Sequence, residues 1–310
     1  MLSLLLTLCL LAPMSADTTD APLPHYPTPV DTVTVDGRAI AYYEAGEGAP
    51  LLFVHGLGSN MALWRDALNA FAEDYRVLAL DLPGFGRSAK DDVPGTMDFF
   101  AETVVGFLDA HGIDRVRYVG VSMGGQVGMT LALMHPERVA QLALVSPAGI
   151  EAFTAVQGTA IKNTMRAEGI MAADSAAVAQ NVKLNFASWD AQHQWLIDQR
   201  HALAQRSDFP AYAEANARAV AGMLDGPVRD RLEQLQVPTL VLFGAGDRLI
   251  PNRYLHPTMT PTDVADEARA ALPHAEVHLV EDAGHLLMLE QPDAFRQYLR
   301  AFLNGGGRDR

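Results

Sequence analysis

The stretch Tyr118-Val119-Gly120-Val121-Ser122-Met123-Gly124-Gly125 decides the fold of this chain. Its first residues end an apolar run typical of a β-strand, and its last residues open a run typical of a helix. A serine at such a junction sits on a sharp turn that projects its hydroxyl from the edge of a sheet. Glycine on both sides permits the close backbone approach that this turn requires. We therefore predict that Ser122 is a nucleophile.

The pattern Gly-x-Ser-x-Gly is weak evidence when it stands alone, because glycine and serine are both common residues. The same stretch is compatible with an ordinary glycine-rich turn between a strand and a helix, including one that binds phosphate. Neither Gly-Lys-Ser/Thr nor Gly-x-Gly-x-x-Gly occurs around Ser122, however. The nucleophile therefore remains the favoured interpretation, and it requires a base and an acid elsewhere in the chain.

The acid and the base are predicted on loops that follow two later strands. Asp247 follows the apolar run Thr239–Phe243, and His285 follows the run Val277–Val280. Serine, acid and histidine occur in that order in hydrolases with this kind of turn, and the acid orients the imidazole and stabilises its protonated form. Asp282 is a competing acid, but it shares a short loop with His285 and would have to fold back. We therefore predict the triad Ser122, Asp247 and His285.

Two backbone N–H groups are expected to stabilise an oxyanion beside Ser122. One belongs to Met123, the residue after the nucleophile. The other is predicted at Leu57, within His55-Gly56-Leu57-Gly58, because glycines there let the backbone turn its amides inward. We interpret His55 as a residue that supports this loop rather than as a base.

Strand-like and helix-like runs alternate along most of the chain. The predicted strands are Leu51–Val54, Arg76–Leu80, Val116–Gly120, Val139–Val145, Thr239–Phe243 and Val277–Val280, and the predicted helices are Ala62–Phe71, Met97–His111, Met123–Met134 and Pro292–Leu303. Thr32 to Tyr43 alternates polar and apolar residues around Asp36-Gly37, which predicts a β-hairpin. Together these patterns predict the α/β class, with a mostly parallel sheet covered by helices on both faces.

The alternation stops between residues 150 and 235, which contain only helix-like runs. We predict a helical lid there, inserted into an α/β core made of residues 31–149 and 236–304. Ligands of open α/β sheets bind at the carboxyl ends of the strands, where this lid would lie. Several of its large apolar side chains should line a pocket, and the candidates are Phe153, Met165, Ile170, Met171, Leu184, Phe186, Trp189, Trp195 and Met223.

The first 30 residues differ in kind from the rest. Residues 1–16 are mostly apolar and too short to span a bilayer, which predicts a signal peptide and a periplasmic or secreted protein. The segment has no Lys or Arg, and it places Met14 where a small residue is preferred before cleavage. A mis-assigned start and a short membrane tether therefore remain alternatives. Residues 17–30 contain four prolines and predict an extended arm.

Composition restricts the partners and the chemistry. The chain has 23 Lys and Arg against 37 Asp and Glu, a formal charge of −14, which disfavours nucleic acid as a partner. Its one cysteine, Cys9, lies in the predicted signal peptide, so no disulfide and no four-cysteine zinc site is expected in the mature chain. Serine chemistry of the predicted kind needs neither a metal nor an organic cofactor, and we expect none.

Five motifs together resemble the α/β-hydrolase superfamily over residues 30–303. They are His55-Gly56-Leu57-Gly58, Asp81-Leu82-Pro83-Gly84-Phe85-Gly86-Arg87-Ser88, the turn at Ser122, Gly244-Ala245-Gly246-Asp247 and Ala283-Gly284-His285. The chain is most similar to small-ester hydrolases and monoacylglycerol lipases. Dehalogenases and epoxide hydrolases of the superfamily resemble each other in carrying Asp where this chain has Ser122. Ring-cleavage C–C hydrolases resemble one another in carrying a Trp shortly after the catalytic histidine. This chain has Leu286-Leu287-Met288-Leu289 in that stretch.

The resemblance implies the α/β-hydrolase fold and, as the leading hypothesis, a serine hydrolase of small apolar esters with short or medium acyl chains. The alternatives are a C–C bond hydrolase, a perhydrolase or haloperoxidase, and a hydrolase-like ligand receptor with negligible turnover. Transient contact with a membrane or lipid surface is also compatible with an ester lipid substrate. The sequence leaves the acyl length, the alcohol group and the oligomeric state open.

Overall fold

Eight strands form one sheet in the computed structural model, which describes residues 23–305. They are β1 (Asp31–Val35), β2 (Arg38–Ala45), β3 (Pro50–Val54), β4 (Arg76–Leu80), β5 (Val116–Val121), β6 (Val139–Val145), β7 (Thr239–Gly244) and β8 (Glu276–Val280). Their order across the sheet is β1-β2-β4-β3-β5-β6-β7-β8. β2 runs antiparallel to its neighbours β1 and β4, and all other neighbouring strands are parallel. The predicted α/β fold is therefore confirmed.

The antiparallel edge results from the hairpin predicted at Asp36-Gly37. Both residues have positive φ, 47° and 77°, as a two-residue hairpin turn with the correct twist requires. β1 and β2 pair in register across this turn, from Val35 opposite Arg38 to Asp31 opposite Tyr42. The hairpin extends the parallel sheet on the side of β4, away from β7 and β8.

Eleven helices occur within residues 23–305. They are α1 (Arg65–Phe71), α2 (Met97–Ala110), α3 (Met123–Met134), α4 (Ala155–Thr164), α5 (Ala167–Met171), α6 (Ser175–Lys183), α7 (Gln194–Ala204), α8 (Phe209–Asp225), α9 (Pro261–Ala271), α10 (Leu287–Glu290) and α11 (Pro292–Gly305). Among these described helices, none has both the length and the apolar character needed to cross a bilayer.

The sequence patterns did not predict one long helix, α9. α9 begins with a reciprocal capping box, in which Thr260 and Asp263 each accept the backbone N–H of the other, and with proline at its first position. Those start signals are visible in the sequence and would have located it. The predicted helix over residues 62–71 also begins differently, with a 3-10 turn at Met61–Trp64 before α1.

Helices α4 to α8 lie between β6 and β7, and no strand occurs among residues 150–235. We call these residues the helical insert. At the amino end, residues 23–30 form neither helix nor strand, yet Leu23 and Tyr26 are buried. The predicted signal peptide and residues 17–22 of the predicted arm lie outside the described residues.

The central strands are buried because helices cover both faces of the sheet. Every residue of β7 is buried, as are the last four residues of β3 and β4. α3 packs unusually close to the sheet, since a Cβ atom at Gly124 would lie 2.5 Å from the backbone oxygens of Val54 and His55. This contact brings the beginning of α3 against the carboxyl end of β3.

Adding one methyl group at Gly124 tests that close approach. We expect Gly124→Ala to lower the free energy of unfolding by about 3 kcal/mol, because two backbone segments would have to separate. Gly158→Ala is the matched control, since Gly158 also lies in a helix and has no atom within 4 Å of the added Cβ. The control should stabilise the protein by about 0.5–1 kcal/mol. Equal effects of the two substitutions in denaturant unfolding would contradict this packing.

Candidate active site

Ser122 occupies a strained backbone conformation between β5 and α3. Its φ and ψ are 54° and −117°, a combination that residues with a Cβ rarely adopt and that costs about 1–3 kcal/mol. Its side chain is half-buried and lines a large cavity. The sharp strand-to-helix turn predicted from the sequence is therefore present, with the serine at its apex.

Hydrogen bonds on both sides of Ser122 hold this conformation in place. Its N–H donates to the carbonyl of Val145 at 2.9 Å, and its carbonyl accepts from Gly125 at 2.9 Å and Gln126 at 3.1 Å. Ala148 also donates its N–H to the same carbonyl at 3.1 Å. The end of β6 and the first turn of α3 thus fix the backbone at Ser122, so that the serine side chain is positioned before a substrate arrives.

Asp247 and His285 form a buried pair on the loops after β7 and β8. Nδ1 of His285 lies 2.8 Å from Oδ2 of Asp247, and the two side chains are 5% and 0% exposed. The other carboxylate oxygen, Oδ1, accepts the backbone N–H groups of Leu249 at 2.8 Å and Ile250 at 3.1 Å. These bonds fix the carboxylate, which in turn fixes the imidazole with Nε2 available on its other side.

The competing acid Asp282 is placed differently. Its side chain is exposed, whereas His285, three residues later, is buried with its Nδ1 already engaged by Asp247. The loop that carries His285 is held instead by the carboxylate of Glu290, which accepts the N–H of Gly284 at 2.6 Å. Glu290 also accepts backbone N–H groups of Ala187 and Ser188, at 3.2 and 3.1 Å, and so joins this loop to the helical insert.

The two predicted oxyanion donors belong to Met123, which follows Ser122, and to Leu57, on the loop after β3. Met123 is the first residue of α3, so its N–H has no acceptor within the helix. Leu57 lines the same cavity as Ser122. The loop that carries Leu57 abuts the nucleophile, because a Cβ atom at Gly56 would lie 3.1 Å from Cβ of Ser122. Met123 and the loop that carries Leu57 are thus placed beside the serine.

His55 controls the orientation of that loop. Its Nδ1 lies 2.7 Å from the carbonyl oxygen of Gly56, and its Nε2 accepts the N–H of Leu82 at 3.0 Å. Ser59 donates a second hydrogen bond to the Gly56 carbonyl, at 3.2 Å. Because N–H and C=O point in opposite directions across a planar trans peptide, these bonds turn the N–H of Leu57 away from His55. Burial lowers the pKa of His55 to about 4, so the ring is neutral and supports the loop.

The cavity above these residues has a volume of about 580 Å³. Ser122 and His285 both line it, together with residues of the helical insert. The apolar residues of the insert that line it include Ile161, Met165, Val182, Leu196, Leu203, Val220, Met223 and Leu224. Of the other apolar candidates named from the sequence, Phe153 lines it too, whereas Phe186 and Trp189 pack against each other with ring centroids 5.1 Å apart.

The sequence analysis missed the charged residues that line the cavity, of which Glu151 and Arg200 contact the loops of the site. Glu151 follows β6 at the same sheet edge as the triad, and its Oε1 accepts from the N–H of Asn252 at 2.8 Å and from Nδ1 of His256 at 2.5 Å. Burial raises the pKa of Glu151, and these two hydrogen bonds oppose that rise. Its position after a strand was a usable signal. Through Asn252 and His256, Glu151 holds the loop that carries Asp247.

Arg200 of α7 also lines the cavity, and it contacts the loop after β3 that carries Leu57 and Gly58. Its Nη1 lies 3.2 Å from the hydroxyl of Tyr212, which donates to the carbonyl of Gly58 at 3.1 Å. Among residues 23–305, no Asp or Glu forms an ion pair with Arg200. One arginine on an amphipathic helix gives no sequence signal of this kind.

The arrangement supplies the parts of nucleophilic catalysis by serine: a strained serine, a histidine fixed by a buried carboxylate, and two backbone amides beside the serine. The catalytic roles of Ser122, Asp247, His285, Leu57 and Met123 remain predictions. No group of three or more His, Cys, Asp or Glu side chains within residues 23–305 is arranged to hold a metal ion.

The family model for the alpha/beta hydrolase fold matches residues 49–292. The chain belongs to this family. It is 33% identical over 278 residues to the dihydrolipoyllysine-residue acetyltransferase component of the acetoin cleaving system of Cupriavidus necator, covering 87% of this chain and 68% of the relative. It is 28% identical to a 2-hydroxy-6-oxo-6-(2'-aminophenyl)hexa-2,4-dienoic acid hydrolase of Metapseudomonas resinovorans, covering 88% of this chain and 90% of the relative.

Among solved structures, the hydrolase is similar to a malate-bound thermophilic esterase from Thermogutta terrifontis. The TM-score is 0.73 at 26% identity, and the match covers 90% of this chain and 99% of the esterase. The resemblance to the α/β-hydrolase superfamily, based on five motifs, is therefore confirmed. The relatives carry different activities, so family membership establishes a hydrolase fold without selecting the bond that is cleaved.

Substitutions of the two candidate acids test the triad. We expect Asp247→Asn to lower kcat by about 10⁴-fold, because the histidine would lose both its tautomer and its charge partner. Asp282→Asn is the matched control. It should change kcat by no more than about twofold, since surface substitutions away from the site have small effects. Ser122→Ala should abolish turnover while leaving the unfolding midpoint nearly unchanged. A larger loss in Asp282→Asn than in Asp247→Asn, in steady-state assays, would show that the wrong acid was chosen.

The neutral state of His55 predicts a pH-dependent stability. In the unfolded chain His55 takes up a proton near pH 6.5, whereas in the folded protein it does so only near pH 4. Its contribution to stability is therefore complete above pH 6.5 and is lost as the pH falls towards 4. Between pH 7 and pH 4, we expect wild type to lose about 3 kcal/mol more unfolding free energy than His55→Gln. His274→Gln, at an exposed position, should lose as much unfolding free energy over this pH range as wild type. The same pH dependence of unfolding free energy in all three proteins would refute the prediction.

Proposed function

We propose that this protein is a serine hydrolase that cleaves small carboxylic esters through an acyl-enzyme. The observation that carries the proposal is the buried Asp247–His285 pair on the same cavity as the strained Ser122. The cavity has an apolar lining and the size of a small-ligand pocket. Similarity to the Thermogutta terrifontis esterase supports the same bond type.

In the proposed reaction, Oγ of Ser122 attacks the ester carbonyl carbon while Nε2 of His285 accepts the serine proton. The N–H groups of Leu57 and Met123 stabilise the negative charge on the carbonyl oxygen. His285 then donates the proton to the departing alcohol, which leaves an acyl group on Ser122. Water attacks that acyl group with His285 again as the base, and the acid is released. Asp247 remains ionised and stabilises the imidazolium in both halves of the reaction.

A second candidate is hydrolysis of a C–C bond in an acid that carries a vinylogous diketone. Arg200 favours it, because a cavity-lining guanidinium without an acidic partner among the described residues can bind a carboxylate in a bidentate manner. The Metapseudomonas resinovorans relative acts on such a dienoic acid by its name. Leu286 lines the cavity and begins the stretch Leu286–Leu289, where C–C hydrolases resemble one another in having a Trp shortly after the histidine, and this favours the ester.

Initial rates on p-nitrophenyl esters from acetate to palmitate test the leading proposal. We expect turnover that depends on Ser122 and has a maximum at short or medium chain length, because the cavity is finite. A carboxylate-bearing ester and a vinylogous diketone acid complete the panel. Arg200→Met should lower kcat/KM for the carboxylate-bearing substrates by about 10- to 100-fold, while neutral esters change little. Arg166→Met, which removes an exposed arginine of the insert, is the matched control.

The panel separates the two candidate functions. Ser122-dependent turnover of esters, with no cleavage of the diketone acid, supports the ester hydrolase. Cleavage of the diketone acid in preference to every ester supports the second candidate and contradicts the first. Folded wild-type protein that cleaves neither class contradicts both and favours a ligand receptor.

A further inference from the structure

The segment Leu23–Tyr26, which we call the N-terminal strap, is held against the protein although it has no regular secondary structure. Leu23 is 3% exposed and Tyr26 is 8% exposed, and both side chains belong to the main hydrophobic core. Burial of this extent is unusual for residues that precede the first strand of a domain. The contacts of the strap explain it.

One set of contacts joins the strap to the α/β core. The hydroxyl of Tyr26 donates to Oδ2 of the fully buried Asp81 at 2.9 Å, and the guanidinium of Arg87 lies 4.2 Å from the centre of the Tyr26 ring. The same carboxylate accepts the backbone N–H groups of Met61 and Arg87, each at 2.7 Å. Tyr26 therefore fixes the strap to the loops that follow β3 and β4.

A second set of contacts joins the strap to α7 of the helical insert. Nε2 of Gln199 donates to the carbonyl oxygen of Pro24, and Oε1 of Gln199 accepts from Nδ2 of Asn60 at 3.0 Å. The rings of His25 and Trp195 lie 5.3 Å apart. Gln199 is 5% exposed and Asn60 is 9% exposed, so these are buried polar contacts, which are costly to break. The strap thus bridges the core and the insert.

Leu23, the first residue of the strap, lines the cavity that Ser122 and His285 also line. Leu63 of the core and Leu196 and Leu203 of α7 are further apolar parts of the same wall. We propose that Leu23 is a specificity-determining residue, which limits the length of the hydrocarbon chain that the cavity accepts. This inference rests on the ester hydrolase proposed above and adds a residue outside the family match at 49–292.

In this proposal, the Leu23 side chain limits the substrate through the volume that it occupies in the cavity. Leu23→Ala removes three carbon atoms and should move the optimum of the acyl series to longer chains. The two esters to compare are the one at the wild-type optimum and the next longer one in the series. We expect the kcat/KM of the longer ester, divided by that of the shorter ester, to rise by about tenfold, since one methylene in an apolar pocket changes selectivity by about that much. Leu23→Phe should move the optimum to shorter chains. Opposite shifts cannot result from a general loss of stability.

The experiment uses the full chain and compares wild type, Leu23→Ala, Leu23→Phe and the control Leu235→Ala. Leu235 is a leucine that is 6% exposed and does not line the cavity, so its variant should keep the wild-type profile. Two readouts are taken: kcat/KM on the p-nitrophenyl ester series, and the dissociation constants of free fatty acids of the same lengths by calorimetry. The binding readout does not require turnover.

The proposal is supported when the two Leu23 variants shift the chain-length profile in opposite directions and the control does not. Unchanged profiles in both Leu23 variants, or an equal shift in Leu235→Ala, would overturn it. Fatty-acid binding that shifts with Leu23 in a protein without esterase activity would keep Leu23 as a size determinant and contradict the proposed function. Absence of fatty-acid binding and of ester turnover in folded wild type would overturn both.

Discussion

The strained backbone at Ser122 is the constraint on which the rest of the active site depends. A residue with a Cβ at φ 54° persists only when its surroundings determine its position. Here β6 and the first turn of α3 supply the necessary hydrogen bonds, and α3 can lie close to β3 only because Gly124 has no side chain. The same close approach brings the loop after β3, with Leu57, beside the serine. One backbone turn therefore sets both Ser122, the predicted nucleophile, and the position of the loop that carries Leu57.

Buried polar groups hold the loops around this turn. Neutral His55 fixes the loop after β3, Asp247 fixes His285, and Glu151 fixes the loop that carries Asp247. Glu290 joins the loop that carries His285 to the helical insert. Each group has backbone N–H or C=O partners, so its loss would leave a buried main-chain group unsatisfied. The site is thus rigid because its loops are bonded to side chains from neighbouring elements, rather than because the loops are regular.

The proposed catalytic residues and the residues that line the rest of the cavity come from different parts of the chain. Strand ends of the α/β core supply the proposed triad, whereas α7 and the N-terminal strap supply Arg200, Leu203 and Leu23 to the cavity. Relatives at 26% to 33% identity carry the names of an acetyltransferase component, a dienoic acid hydrolase and an esterase. One fold can carry such different activities, since specificity depends on a few contacts in the pocket.

The amino-acid sequence is sufficient to predict the sheet, the hairpin at Asp36-Gly37 and the candidate residues Ser122, Asp247 and His285. These follow from local signals, because apolar periodicity, turn glycines and the position after a strand are encoded in neighbouring residues. Which residues surround the site depends on contacts between distant parts of the chain. Pro24 and Gln199 are 175 positions apart and Glu151 and His256 are 105 apart, and no local pattern pairs them. Their proximity results from the path of the chain around the sheet, which a one-dimensional pattern does not contain.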